Sequence, residues 1–399
     1  MHTHDVALAP ATRRALVAGT IAIGVLVAIA VVGISVRAEV DRSQADFLVG
    51  TVYEARVVDI RVEPCEGTTI DCIGVEVRLT QGPDDGETRT LVFTADSPVT
   101  PSLGKGDRIV LSYTEGADEG FEYTYSDRQR RRVLLAAAVV FGVAVVLLGR
   151  LRGLAALGGL VVSIGTIMVF VLPAILAGYS PVLVAVLGSA AIAYIALYLA
   201  HGLNLLTTVA LLGTLAALAL TVLLSAVFTA LAEFSGFASE EALLLGNLSA
   251  GIDMSGLILA GIVIGALGAL DDVTITQASA VAELREANPT MSRTAVYASA
   301  IRIGRDHIAS TVNTLALAYA GAALPLLLLF VLSEQSLGTI ANSEVVATEI
   351  IRTLVGSIGL VASVPITTWL AARVVAGPTG HEHPRARRPV ADDETNFWE

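Results

Sequence analysis

Eight long apolar runs dominate the chain: Ala15 to Val36, Val133 to Gly149, Leu154 to Gly178, Val182 to Ala200, Leu205 to Ala232, Ala250 to Leu270, Ile308 to Leu332 and Thr353 to Val375. Each comes near the roughly 20 residues with which an α-helix crosses the hydrocarbon of a bilayer. The pattern predicts a mainly α fold, a polytopic transmembrane bundle of about eight spans in which Val133 to Gly149 is the shortest. Pro173, Pro325 and Pro365 fall inside these runs and are expected to kink helices or mark their ends.

Between residues 40 and 127 the period changes. Val52, Val57, Val58 and Ile60, then Val75, Val77 and Leu79 alternating with Glu76 and Arg78, then Leu91 to Phe93, follow the two-residue repeat of strands. Gly82-Pro83-Asp84-Asp85-Gly86 is a turn between two of them, and Leu103 to Leu111 reads as a glycine turn feeding another. This predicts a small β-barrel-like domain of the OB or SH3-like kind. The expected division is a cytoplasmic N-terminus (1–14), a signal-anchor helix (15–36), an acidic extracytoplasmic β-domain (40–127), a bundle of about seven helices (133–375) and a disordered cytoplasmic tail (376–399).

Composition agrees: 54% hydrophobic, 16% charged and a mean hydropathy of +0.72 exclude an ordinary soluble globule. The formal charge of -12 is local, because Glu39 to Asp127 holds 19 Asp and Glu against 7 Lys and Arg. Nucleic acid is therefore not expected as a partner. Arg13 and Arg14 precede the first run, and Arg150, Arg152, Arg285, Arg293, Arg302, Arg305, Arg385, Arg387 and Arg388 all fall inside if the spans alternate from a cytoplasmic N-terminus. Arg128, Arg130, Arg131 and Arg132 are the exception, since this topology puts them outside. Cys65 and Cys72, the two cysteines of the chain, flank a short Gly/Thr loop and are candidates for a disulfide in an exported segment.

The chemistry concentrates after Gly268. Asp271 and Asp272 end an apolar helix, where two carboxylates cannot both ionise cheaply in a low dielectric, so one is a candidate proton carrier. Asp272, Thr276, Ser279 and Glu283 form one polar stripe if the helix continues, and Arg302, Asp306, Ser310 and Asn313, with Thr311 and Thr314 alongside, form a second. The two stripes are expected to face each other, with Arg302 or Arg305 as counter-charge. The competing reading puts the Asp pair at the water interface and leaves the Ser, Thr and Asn side chains as interhelical glue. Gly261-Ile262-Val263-Ile264-Gly265 is a small-xxx-small pattern that lets a neighbouring helix approach. His201, Glu233 and Asp253 are expected to be solvated residues at helix ends. No nucleotide loop, Ser/His/Asp array or zinc motif is present, so no enzyme activity, cofactor or metal is expected.

The stretch Gly304 to Gly321 resembles the signature of the YibE/F family of bacterial multi-pass membrane proteins, and Gly268 to Glu286, Glu349 to Leu360 and His201-Gly202-Leu203-Asn204 agree with it in order, the likeness covering roughly Arg128 to Ala372. A weaker likeness links the chain to the resistance-nodulation-division superfamily and to SecD and SecF. There a span ending in aspartate carries the driving proton, which implies the same role for Asp271 and Asp272; Lys105 is the only lysine here, so no membrane lysine stands by them. These likenesses imply a plasma-membrane secondary transporter or export-assisting protein, with protons as the candidate driving ion, acting as a homo-oligomer or with a related membrane subunit. The alternative is a non-transporting scaffold or sensor whose β-domain binds an envelope partner.

Overall fold

The computed structural model describes residues 10–39, 51–65, 70–118, 121–248, 251–333 and 335–375. The expected tail at 376–399 and the first part of the expected β-domain, 40–50, lie outside them. The chain divides into two compact units, one of Met1–Ala30, Ala185–Phe234 and Ile258–Glu399, the other of Val31–Val184 and Ser235–Leu257.

The second unit holds five strands, β1 (Thr51–Pro64), β2 (Asp71–Leu79), β3 (Thr88–Thr94), β4 (Arg108–Tyr113) and β5 (Tyr123–Arg128), in one antiparallel sheet of order β3-β2-β1-β4-β5. β1 is central, and its inward residues Ala55 and Val57 join Val75, Val77, Leu79, Leu91, Ile109, Leu111 and Tyr123 in a single apolar core. That is the alternation the sequence carries, realised with one face inward. A bulge between Val57 and Asp59 bends β1. The sheet curls until Phe93 and Tyr125, on its two edge strands, meet edge to face at 5.8 Å. The edges meet through side chains rather than through a ladder among the described residues, so the expected barrel-like domain is seen as a curled antiparallel sheet. Gly106 turns the chain into β4 at φ +94, a conformation open to glycine, while its N–H donates to the Val57 carbonyl at 2.9 Å.

The helices are α1 (Pro10–Ser35), α2 (Arg131–Thr166), α3 (Leu172–Leu176), reached through the π-helical segment Ile167–Val171, α4 (Pro181–His201), α5 (Leu205–Leu231), α6 (Glu240–Leu248), α7 (Met254–Ala287), α8 (Arg293–Ala322), α9 (Leu324–Leu332), α10 (Leu337–Asn342) and α11 (Glu344–Val375). Among the described residues six helical stretches are long and apolar enough to cross a bilayer, and α8 with α9, bent by 62°, qualifies as a pair. The protein is a multi-pass membrane protein. One of the six stretches, Arg131–Leu176, is itself folded: α2 leaves helical geometry at Arg150 (φ 51, ψ -128), and a Cβ on Gly153 would collide with the Val145 carbonyl. Residues eight apart on a straight helix lie about 12 Å apart, so the two arms of α2 run back on each other. The runs Val133 to Gly149 and Leu154 to Gly178 are these arms.

Two expected spans are redrawn. The run starting at Ala250 continues as one 34-residue helix to Ala287, because nothing after Leu270 breaks a helix until Asn288-Pro289. The run starting at Ile308 begins a full fifteen residues earlier, at Arg293, and breaks at Ala323, where Pro325 opens α9. Pro173 likewise lies in the first turn of α3, whereas Pro365 is inside α11.

Candidate functional site

In the first unit α5, α7, α8 and α11 pack around one another. Ala217 and Leu218 of α5 meet Leu270 and Ala266 of α7; Val273 meets Leu360 and Val364 of α11; and Val209, Val281, Val296 and Ala371 close the far end. α5 and α11 come within contact of each other's backbone, since a Cβ on Gly213 would collide with Thr367 and one on Gly359 with Thr221.

Consecutive helical residues point about 100° apart, so Asp271 and Asp272 cannot share an environment. Asp271 turns inward with Thr274 and Gln277. Its Oδ1 is buried and has no hydrogen-bond partner among the described residues. Thr274 and Thr214 of α5 share a hydrogen bond of 2.7 Å, and the Gln277 amide donates to the Ala300 carbonyl of α8 and to the Thr368 hydroxyl of α11, both at 2.8 Å. Interhelical hydrogen bonds of this kind contribute about 0.6–2 kcal/mol each in a bilayer. Gly304 makes the room: a Cβ there would stand 2.7 Å from Gln277 Oε1 and 2.6 Å from Val364 Cγ1.

Depth follows from register. α5 is 27 residues long without a charged side chain, and the contacts above set Asp271 level with Ala217 and Leu218, the middle of that helix. At 1.5 Å per residue the carboxylate is then about 20 Å from either end of α5, the middle of a hydrocarbon layer about 30 Å thick.

Asp272, with 68% of its side chain exposed, points out of the unit. Thr276, Ser279 and Glu283 continue the same exposed face, and Arg302, Arg305, Asp306, Ser310, Asn313 and Thr314 are exposed on α8, with Thr311 half-buried. The stripes therefore line one outer face rather than opposing each other, because the inward phase of α8 is taken by Ala300, Gly304 and His307. Arg302 donates to Ser299 at 2.9 Å, and neither it nor Arg305 pairs with an aspartate among the described residues. The basic group beside the pair is His307, whose Nε2 lies 3.7 Å from Asp272 Oδ2.

A second polar group stands farther along α7. Arg352 of α11 donates to Glu349 at 2.8 Å and lies 5.9 Å from the centre of the Tyr319 ring. Gly261 and Gly265 give it space: a Cβ on the first would lie 3.5 Å from Arg352 Nη2, and on the second 2.8 Å from the Tyr319 hydroxyl. The small-xxx-small pattern thus admits polar side chains of α8 and α11 rather than a bare helix backbone.

Thr214, Gln277, His307, Tyr319, Glu349, Arg352 and Thr368 do not stand out as site residues in the sequence alone. A signal for one of them, Gln277, exists, since Asp271, Thr274 and Gln277 recur at three-residue steps beside the outer stripe. Of the expected helix-end residues, Asp253 caps α7 by accepting from Ser255 (2.8 Å) and the Gly256 N–H (2.9 Å), Glu233 follows α5 with φ 51, and His201 is the exposed last residue of α4; Asn204, two residues beyond Gly202, caps α5 through the Thr207 N–H at 2.9 Å. Cys65 and Cys72 are joined by a disulfide at the end of the β1–β2 ladder. Among the described residues no three His, Cys, Asp or Glu side chains cluster as a metal-ion set.

The buried Asp271 motif and the α8 stretch from Gly304 lie inside a match to a family model described as YibE/F-like protein, which covers residues 137–377. The chain belongs to the YibE/F-like family. The β-domain precedes the matched region. Searches of curated proteins and of solved structures found no match, and the likeness to the resistance-nodulation-division and SecD/SecF bundles is not shown. Within this YibE/F-like chain, every residue of the inner network from Thr214 to Thr368 falls in the family region.

Proposed function

We propose that this YibE/F-like protein is a secondary transporter or export-assisting protein, driven by protons, that moves a small solute across the plasma membrane. One observation carries the reading: a carboxylate with a buried, unpartnered oxygen at mid-span, next to a second carboxylate that looks outward and faces a histidine. Ionisable groups at that depth are costly to keep and serve ion or substrate paths. Asp271 is the carrier that changes protonation, and Asp272 with His307 hands protons to it from the outer face. No catalytic step is involved. The orientation has both termini cytoplasmic and the β-domain extracytoplasmic, supported by the cysteine pair and by Arg150, Arg152, Arg285 and Arg293 in the loops that the charge rule puts inside. The exposed polar face of α7 and α8 is covered by a second copy of the chain.

The test compares small-solute pools in cells holding equal membrane levels of wild type, Asp271→Asn and the Asp271→Asn/Asp272→Asn double variant, with and without a protonophore. At least one solute should redistribute with the wild type and lose that redistribution in Asp271→Asn and with the protonophore. A folded double variant whose solute profile equals the wild type overturns the carrier.

A further inference from the structure

The arginines that break the charge rule, before the second predicted span, fall into two groups. Arg128 is held by the Ser102 carbonyl and by Asp107 at 3.2 Å, and Arg130 by Asp127 at 2.5 Å. These two complete the β-domain. Arg131 and Arg132, at the start of α2, and Arg108, from β4, have no side-chain hydrogen bond or ion pair among the described residues. With Glu54, Gln129 and Leu135 these three arginines line a recess of about 240 Å³.

The charges in this recess do not balance. Glu54 is its single carboxylate, and Gln129 already donates to it at 2.7 Å, while the Gln129 carbonyl oxygen accepts from the Arg131 N–H at 3.0 Å. Three guanidinium groups against one engaged carboxylate leave a net positive cup. Its lip is apolar: Val133, Leu134 and Leu135 follow at once and are 72%, 64% and 56% exposed, on a helical stretch with none of its most apolar window buried. A bare apolar helix surface belongs in lipid, so the acyl region begins about one turn from Arg131. The cup therefore sits at the level of lipid headgroups. Guanidinium groups bind phosphate oxygens in pairs with fixed geometry, and Leu135 supplies an apolar wall for the glycerol and first acyl carbons beyond them.

The geometry points to a binding site for the phosphate of an anionic phospholipid headgroup, formed by Arg108, Arg131 and Arg132 where the β-domain joins the membrane. Arg108 comes from the sheet and the other two from the helix, so a bound headgroup ties strand β4 to α2. This site is independent of any transport reading. It also gives the exceptional arginines a role on the outer side: they are held by lipid.

The experiment uses the full-length protein in nanodiscs of phosphatidylcholine, with or without phosphatidylglycerol, and in detergent, where native mass spectrometry counts retained lipids. Wild type should retain phosphatidylglycerol over phosphatidylcholine. The Arg108→Gln/Arg131→Gln double variant should retain it at least tenfold less, and Arg130→Gln, outside the recess, as well as wild type. Millimolar inorganic phosphate should not displace the lipid. Equal retention of the two lipids, displacement by phosphate alone, or undiminished retention in the double variant each overturns the proposal. If the double variant fails to fold, as read by loss of the Cys65–Cys72 disulfide or of circular dichroism, Arg132→Gln alone carries the same comparison.

Discussion

Gly304 and Gln277 are matched residues. The amide of Gln277 reaches two other helices because Gly304 leaves the space its carbonyl end occupies. Gly304→Ala must push Gln277 or Val364 aside, and overfilling a packed site costs about 1–3 kcal/mol. Thermal unfolding in detergent should show that loss for Gly304→Ala and close to none for Gly268→Ala, where a Cβ meets nothing within 4 Å. Equal melting of the two variants would refute the pairing. At this scale the sequence spoke clearly about residue type and poorly about direction. Asp271 and Asp272 stand out in any reading because two acids close an apolar run, yet which one turns inward depends on the helices packed around α7, information that one helix does not contain. His307 does not stand out for the same reason, following the charged residues Arg305 and Asp306 directly in sequence but lying on the inner phase of α8 in space.

Elements show the same division. Period-two alternation located the strands, and the acidic β-domain has a pH response that follows from one of its turns. Asp107 accepts from the Gly104 N–H at 2.9 Å and faces Arg128, and both hold its carboxyl below the usual carboxylate range, the backbone hydrogen bond first. A folded-state pKa below the unfolded value of about 3.9 gives stability that is present above that value and lost as pH falls through the lower, folded one. The group is partly exposed, so screening reduces the effect to about a two- to threefold change in local opening. Hydrogen exchange of the full-length protein, corrected for intrinsic rate, should show Leu103 to Tyr113 opening that much more in Asp107→Asn than in wild type at pH 7, with the difference shrinking as pH falls below the unfolded value of about 3.9. A difference that persists undiminished in acid would assign it to lost packing instead. Among the helices, hydropathy found the α2 hairpin arms correctly but placed the start of α8 fifteen residues late. A helix buried on one side and polar on the other lacks the apolar run that a window detects.

For the whole molecule the decisive feature is that α8, packed on α7 and α11 at the level of α5, exposes Arg302, Asp306, Ser310 and Asn313. Facing lipid, a charged side chain at that depth costs several kcal/mol, by about 2.5–3.5 kcal/mol even on the mildest scale. The face carries Arg302 and Arg305 together with Asp272, Glu283 and Asp306, and the proposed second copy, related by a two-fold axis, would set charges of both signs against their opposites, as an isologous contact allows. A water-filled path would satisfy the same groups, and the two arrangements differ in what a cysteine on the face can reach. The native cysteines are paired to each other, so a single introduced thiol reports alone. Ser310→Cys in membranes should give a cross-linked dimer with a short bifunctional maleimide, and Val161→Cys, exposed on the apolar second arm of α2, should give none. If Ser310→Cys instead reacts fully with a charged, water-soluble maleimide and yields no dimer, the face lines water and the second copy is absent. The same outcome would leave Asp272 and His307 in direct contact with solvent, and proton entry to Asp271 would then need no partner.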